Sequence, residues 1–354
     1  MTSPSHHSRP AASTGDLRHV VVHLLTPLLM CIGMGLAYLG AFADPAPHHL
    51  PVAVVGAGPS AQVLAQTLND TSDGKLAVRT VADRATAEHQ LASRDIYGAY
   101  VMDAKAPALL VASAGSDTTA TVVQKVFTPI AARQGAPLAV TDIVPSTSHD
   151  PTGQGIFFLL VALSIGSYAS VAVIGGVGGV LPMRVRALLA VATSAVVSVI
   201  GVALAGPLFH LVDHGLWGVW GMAWVYSAGI LLAGTGLHSF LKRWTTLSLM
   251  VLFVMLNFTS SGGIFRPEMQ NGFFAALHAF WNGSGFVEGT RSLVYFGSDG
   301  LAPQVVKLVL WLIGGLALAG VAGLAEARAA RRGASAAPET SAEVEEELEE
   351  AVAV

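Results

Sequence analysis

Ile156-Phe-Phe-Leu-Leu-Val-Ala-Leu-Ser-Ile-Gly-Ser-Tyr-Ala-Ser-Val-Ala-Val-Ile-Gly-Gly-Val-Gly-Gly-Val-Leu181 contains no Asp, Glu, Lys or Arg. A bilayer core about 30 Å thick is crossed by about 20 apolar residues in a helix, so this stretch reads as a transmembrane helix. The same pattern recurs on both sides of it. Val20 to Phe42 lies upstream; Ala187 to Leu211, Leu216 to Leu241, Leu247 to Phe258 and Val305 to Leu324 lie downstream. The run from Leu247 reaches spanning length only if it continues through Ser261 to Ile264. The expected fold is therefore an α-helical polytopic membrane protein with six transmembrane helices. Composition agrees: of 354 residues, 53% are hydrophobic and 12% charged, about half the charge of a soluble chain. The apolar part of Val20 to Phe42 exceeds the roughly 7–15 residues of a signal-peptide core, and a polar leader precedes it, so it reads as a retained span.

Lys and Arg in short loops set orientation. Arg9 and Arg18, Arg184 and Arg186, Lys242 and Arg243, and Arg328, Arg331 and Arg332 all fall on one side of a six-span path, which is then the cytoplasm. Lys307 is the minor exception. The expected organisation is a disordered cytoplasmic leader (1–19), a first transmembrane helix (20–42) and an extracytoplasmic domain (43–154). A five-helix membrane domain (155–325) with a re-entrant segment (259–304) follows, then a cytoplasmic acidic tail (326–354). The chain belongs in the cell membrane with both termini inside.

Between the first two spans charge returns and the hydrophobic period changes. Pro51 to Val55, Leu76 to Val81, Ile96 to Met102, Leu109 to Ser113 and Leu138 to Val144 read as strands. Ser60 to Leu68, opened by Ser60, Ala85 to Ser93 and Thr118 to Arg133 read as helices. Strands alternating with helices imply a small α/β layer domain. Its first turn, Gly56-Ala-Gly58-Pro-Ser-Ala61, nearly matches a dinucleotide fingerprint. The turn lies on the outer side, however, and Asp83 is farther than the usual about 20 residues, so a tight strand-to-helix turn is the expected role and a cofactor site the outlying alternative.

No residue in the sequence is assigned to catalysis, cofactor or metal. The chain has one cysteine, Cys31, inside an apolar run, which excludes intrachain disulfides. His210, Asp213 and His214, and His48 and His49 with His149 and Asp150, lack a full ligand set. No basic patch suited to nucleic acid and no ATP-binding phosphate loop occurs. No span holds Asp, Glu, Lys or Arg near its centre, where an ion-coupled transporter keeps such a residue, and this weighs against a self-powered transporter. If a substrate moves, another subunit supplies the energy. The expected partner of the surface is membrane lipid.

Three sets of candidate site residues follow. Pro182, Met183, Arg184 and Arg186 form a short inner loop. Gly175 and Gly179, with Gly315 and Gly323, make stripes of small residues that let helices approach closely, either within the chain or as a homodimer seam. Ser260-Ser-Gly-Gly-Ile-Phe-Arg-Pro-Glu268 is followed by Phe273 to Trp281, apolar but too short to cross, and by Glu288 and Arg291. This broken connection reads as re-entrant. In it Gly262, Gly263, Arg266, Glu268, Glu288 and Arg291 form either a set of structural ion pairs at the outer rim or an outer gate.

One span, an outer α/β domain and five more spans, together with Leu50-Pro-Val-Ala-Val-Val55, Tyr97-Gly-Ala-Tyr-Val101, Ser260 to Pro267 and Gly289-Thr-Arg291, resembles the ABC-2-type permease superfamily, most closely its phage infection protein (YhgE/Pip-like) branch. The resemblance implies a dimeric, non-enzymatic exporter subunit powered by a separate ATP-binding-cassette ATPase. It makes Pro182 to Arg186, which is very short here, the ATPase-coupling loop. Some relatives act as phage receptors or envelope-assembly factors. The alternative expectation is thus a non-transporting envelope protein whose outer domain binds a secretion, cell-wall or phage partner.

Overall fold

The computed structural model describes residues 14–335 except Ala104; the leader as far as residue 13 and the acidic run Glu343 to Glu350 lie outside the described residues. Helix α1 (Thr14–Phe42) leads into an α/β domain made of β1 (Leu50–Val55), α2 (Pro59–Thr71), β2 (Leu76–Val81), α3 (Arg84–Ala92), β3 (Ala99–Val101), β4 (Ala108–Val111), α4 (Asp117–Arg133) and β5 (Ala139–Asp142). A helical bundle follows: α5 (Gly155–Gly176), α6 (Met183–Ala203), α7 (Leu216–Leu241), α8 (Thr245–Met250), α9 (Leu256–Ser260), α10 (Gly272–His278), α11 (Asn282–Tyr295) and α12 (Leu301–Ser335).

The five-stranded sheet has the order β2-β1-β3-β4-β5, antiparallel only between β3 and β4. The continuous apolar run of β1 is buried between two layers, as an inner parallel strand requires. Residues of α2 and α4 cover one face, where Phe127 stacks on Tyr100 at 5.0 Å; Ala87 and Leu91 of α3 cover the other. The expected strand Ile96 to Met102 shortens to β3, although Tyr97 N still donates to Pro51 O and Ala53 N to Gly98 O. Helix α2 is not opened by the Ser60 side chain. Gly58 occupies the cap position without a side-chain bond, and Pro59, its φ already helical, begins the helix. Asp83 accepts from Thr86 N at 2.8 Å and caps α3, and those backbone donors hold its carboxyl below the usual range. Gly56, at φ +145°, makes the turn between β1 and α2.

Among the described residues five helices are long and apolar enough to cross a bilayer: those within Leu24–Phe42, Gly155–Val180, Met183–Leu208, Leu216–Leu241 and Leu301–Arg332. The expected fifth span takes another form, an apolar helix over Thr245–Ser260 with a π-helical turn at Val251–Met255. It does not continue to Ile264, because Gly262, at φ +75°, turns the backbone away. Helix α6 likewise stops before the expected Leu211, widening into a π turn over Leu204–Leu208 that contains Pro207.

The central helix is α7, buried on most sides between α5, α6, α11 and α12. Many large apolar side chains of α1, α6 and α12 face outward, among them Leu36, Leu188, Val196, Leu310 and Leu324. An apolar exterior of this extent is consistent with a membrane-embedded protein.

Candidate functional site

Gly262 and Gly263 are the start of the site. The left-handed turn at Gly262 and the closeness of Phe157 to Gly263 (2.3 Å from where a Cβ would stand) restrict both positions to glycine. The unwound strand leaves carbonyls without helical partners, and in a low-dielectric interior each needs a donor. Arg291 supplies it, donating Nη1 to Gly262 O at 2.8 Å and Nη2 to Gly263 O at 3.2 Å. The chain then folds back along α8 and α9. Gln270 Nε2 donates to Thr259 O at 2.7 Å, Trp281 Nε1 donates to Leu252 O at 3.1 Å, and a His278 ring nitrogen lies 2.9 Å from Ser260 O. The segment expected to be re-entrant is a broken helix followed by α10 and α11.

Glu288 is the hub. Its Oε1 accepts from Arg291 Nη1 at 2.9 Å and lies 2.5 Å from Arg266 Nη1, and its Oε2 accepts from Arg94 Nη1 at 3.2 Å. The Arg266 Nη1 approach is an ion pair without hydrogen-bond alignment. Arg266 donates instead to Tyr97 Oη from Nε at 3.1 Å and Nη2 at 2.7 Å. Tyr97 Oη donates to Glu268 Oε1 at 3.1 Å, and the Glu268 carboxylate lies 3.8 Å from Arg266. Arg266, Glu288 and Arg291 are 7%, 3% and 2% exposed. The pairing expected at an outer rim is thus present, but it is interior. Burial pushes the Tyr97 phenol up to about 12, against the opposing pull of Arg266.

The cluster joins the two parts of the molecule. Arg94, between α3 and β3 at φ +64°, also donates to Ser292 Oγ at 2.6 Å and Asp299 O at 2.9 Å and stacks on Phe296 at 4.9 Å. Thr118 donates to Ile264 O at 3.0 Å, His48 N donates to Glu268 O at 2.7 Å, and Met269 packs into the α/β core. Sequence reading brought forward Gly262, Gly263, Arg266, Glu268, Glu288 and Arg291, and all six meet here. It passed over Arg94, whose local sequence carries no signal, and it cited Tyr97 only for the resemblance.

A second polar knot lies deeper. Tyr226 Oη is 2.5 Å from both Ser164 Oγ and Asn257 Nδ2, tying α7 to α5 and α9. Its only sequence signal is polar side chains inside apolar runs.

The loop from Pro182 to Arg186 is tighter than its sequence suggests. Pro182 caps α6, Met183 is buried, and Arg186, 4% exposed, pairs with Glu326 and donates to Leu181 O at 3.1 Å. Pro182 and Arg184 remain exposed. The small-residue stripes serve contacts within the chain. A Cβ on Gly315 would stand 2.9 Å from Gly229 O, one on Gly175 2.6 Å from the His238 ring, and one on Gly323 3.4 Å from Met183. Gly179 faces open space. The partner stripe on α7, Gly229, Ala233 and Gly236, was the unread half of the α7–α12 crossing.

Fold and site together define a class: an apolar helical bundle fit for a membrane, bearing a small mixed α/β domain locked to it by buried ion pairs. Comparison with protein families, with curated proteins and with solved structures returns no match.

Proposed function

We propose that this chain is the membrane subunit of an ABC-2-type exporter driven by a separate ATPase, in the manner of the phage infection protein branch. In this reading the chain crosses the cell membrane six times, with Thr245–Ser260 and its re-entrant continuation as the fifth crossing. Both termini face the cytoplasm and the α/β domain faces outward. The observation that carries the reading is the broken helix at Gly262 and Gly263, closed by Arg291 and Glu288 directly beneath the α/β domain. Non-helical backbone at membrane depth is tolerated where it is buried in protein or lines a path, and a closed polar plug under an outer domain suits a gate in its shut state. Exposed Arg184 beside Pro182 offers the ATPase a contact on the opposite side.

The test is purification of the chain from its native membrane together with efflux measurements on a deletion strain. The expected result is co-purification of an ATP-binding-cassette ATPase and altered efflux. Absence of both overturns the reading.

A second reading, an envelope protein that binds a partner without transport, is favoured by β5. All four residues of this edge strand are exposed, which suits an added strand from another protein. Capture of an envelope partner by the full chain in nanodiscs, lost in Val140→Pro with transport absent, would select it.

A further inference from the structure

The segment after α10 and helix α12 border an open-sided cavity of about 600 Å³ that the ion cluster does not use. Ala279 and Phe280 wall one side; Gln304, Lys307, Leu310, Trp311 and Gly314 wall the other. The cavity is graded. Gln304 and Lys307 lie toward the end of α12 nearest the α/β domain, and Leu310, Trp311 and Gly314 lie deeper. At about 1.5 Å per residue, Lys307 is about 9 Å along the axis from Leu301. Val306, Leu310 and Phe280, each more than half exposed, open the cavity sideways onto the apolar exterior of the bundle.

Lys307 is the chemical feature. Its ammonium donates to His278 O at 3.2 Å and Ser284 Oγ at 2.9 Å, both uncharged, which leaves one N–H free. Among the described residues no carboxylate pairs with it. The neighbouring cluster does not compensate, because Arg94, Arg266 and Arg291 already outnumber Glu268 and Glu288. Gln304 adds a buried amide oxygen without a partner in the same wall, an acceptor that a headgroup hydroxyl, not the phosphate, would satisfy. A cation excess in a low-dielectric setting calls for an anion. The lateral opening and apolar floor call for an acyl chain.

We propose that this cavity binds an anionic phospholipid from the leaflet on the α/β-domain side. Its phosphate sits on the free N–H of Lys307, and an acyl chain lies against Leu310, Trp311 and Gly314. Trp311, whose Nε1 donates to Phe280 O at 2.8 Å, holds the two walls together. The proposal concerns binding alone and is independent of transport.

The experiment uses the full chain in nanodiscs of phosphatidylcholine doped with phosphatidylglycerol or further phosphatidylcholine, the dopant carrying brominated acyl chains. Tryptophan quenching is the readout, since Trp311 lines the cavity and the Trp281 ring lies 5.3 Å behind it. The expected result is stronger quenching by brominated phosphatidylglycerol than by brominated phosphatidylcholine. Lys307→Gln should lower the apparent affinity for phosphatidylglycerol about fivefold, the worth of one lysine near a lipid phosphate, while Lys307→Arg keeps it. Equal quenching by the two lipids in the unmodified protein, which needs no variant to fold, overturns the proposal, as does an undiminished preference in Lys307→Gln. Displacement of the quencher by millimolar inorganic phosphate or glycerol phosphate would reassign the site to a soluble anion and also overturn it.

Discussion

Arg94, in the turn between α3 and β3, donates to Glu288 of α11 at 3.2 Å across 194 residues of chain. Through this bond a surface arginine of the α/β domain becomes a member of a buried cluster, and the domain cannot turn on the bundle without breaking it.

Glu288→Gln is expected to cost about 3–5 kcal/mol, because Arg266 and Arg291 are then buried without a full counter-charge. Denaturant unfolding of the purified protein in micelles measures it. Arg84→Ala, which removes an exposed pair one helical turn long, should stay within about 0.5 kcal/mol of the parent. Equal effects of the two would refute the buried hub.

Arg94→Ala should act locally before it acts globally. Hydrogen exchange is expected to quicken first around Tyr97 and residues 262–300, where the α/β domain meets the broken helix and α11, with the strand amides of β1 and β2 little changed. Uniform acceleration across both parts would count against a discrete clamp.

The Tyr97 phenol is expected to leave a signature at high pH. Its folded pKa of about 12 lies above the value of about 10 in an unfolded chain. The folded state therefore binds this proton more tightly, and the resulting stability is complete below pH 10 and fades between about 10 and 12. Tyr97→Phe should lose that segment of the stability-versus-pH curve, the other tyrosines contributing equally to both proteins.

Gly236→Ala should destabilise the bundle by about 1–3 kcal/mol, since the new Cβ would stand 2.7 Å from the α12 backbone at Ala319 and force two helices apart. Gly179→Ala, facing open space, should be near neutral. Thermal unfolding of the two variants side by side distinguishes an intrachain seam from one formed between copies, which would reverse their order.

Tyr226→Phe removes the hydroxyl shared by Ser164 and Asn257. The expected loss is about 1 kcal/mol, the scale of interhelical hydrogen bonds in apolar surroundings. A double-mutant cycle with Ser164→Ala should show coupling between the two positions, and additivity would refute the contact.

Leu216–Leu241 was readable to the residue, and β2 equally so, because length and period are local quantities that each segment carries within itself. The same holds for the order of strands and helices in the α/β domain, whose helix ends were blurred by a residue or more: α2 starts at Pro59 and runs to Thr71, past Leu68, and α3 and α4 each start one residue early. The break at Gly262 was visible as Ser260-Ser-Gly-Gly, and the ionisable residues Arg266, Glu268, Glu288 and Arg291 were visible as charges in an apolar neighbourhood. Their meeting point was not visible. Nothing near Arg94 in the chain says that it will be desolvated, and Gly229, Ala233 and Gly236 signal a helix crossing only once α12 lies against them. Hydropathy and turn chemistry are properties of a few neighbouring residues, so the sequence alone determined which segments favour lipid and which favour a layered sheet. Burial of a charge and closeness of two backbones depend on what arrives from elsewhere in the chain, and only the tertiary structure decided them.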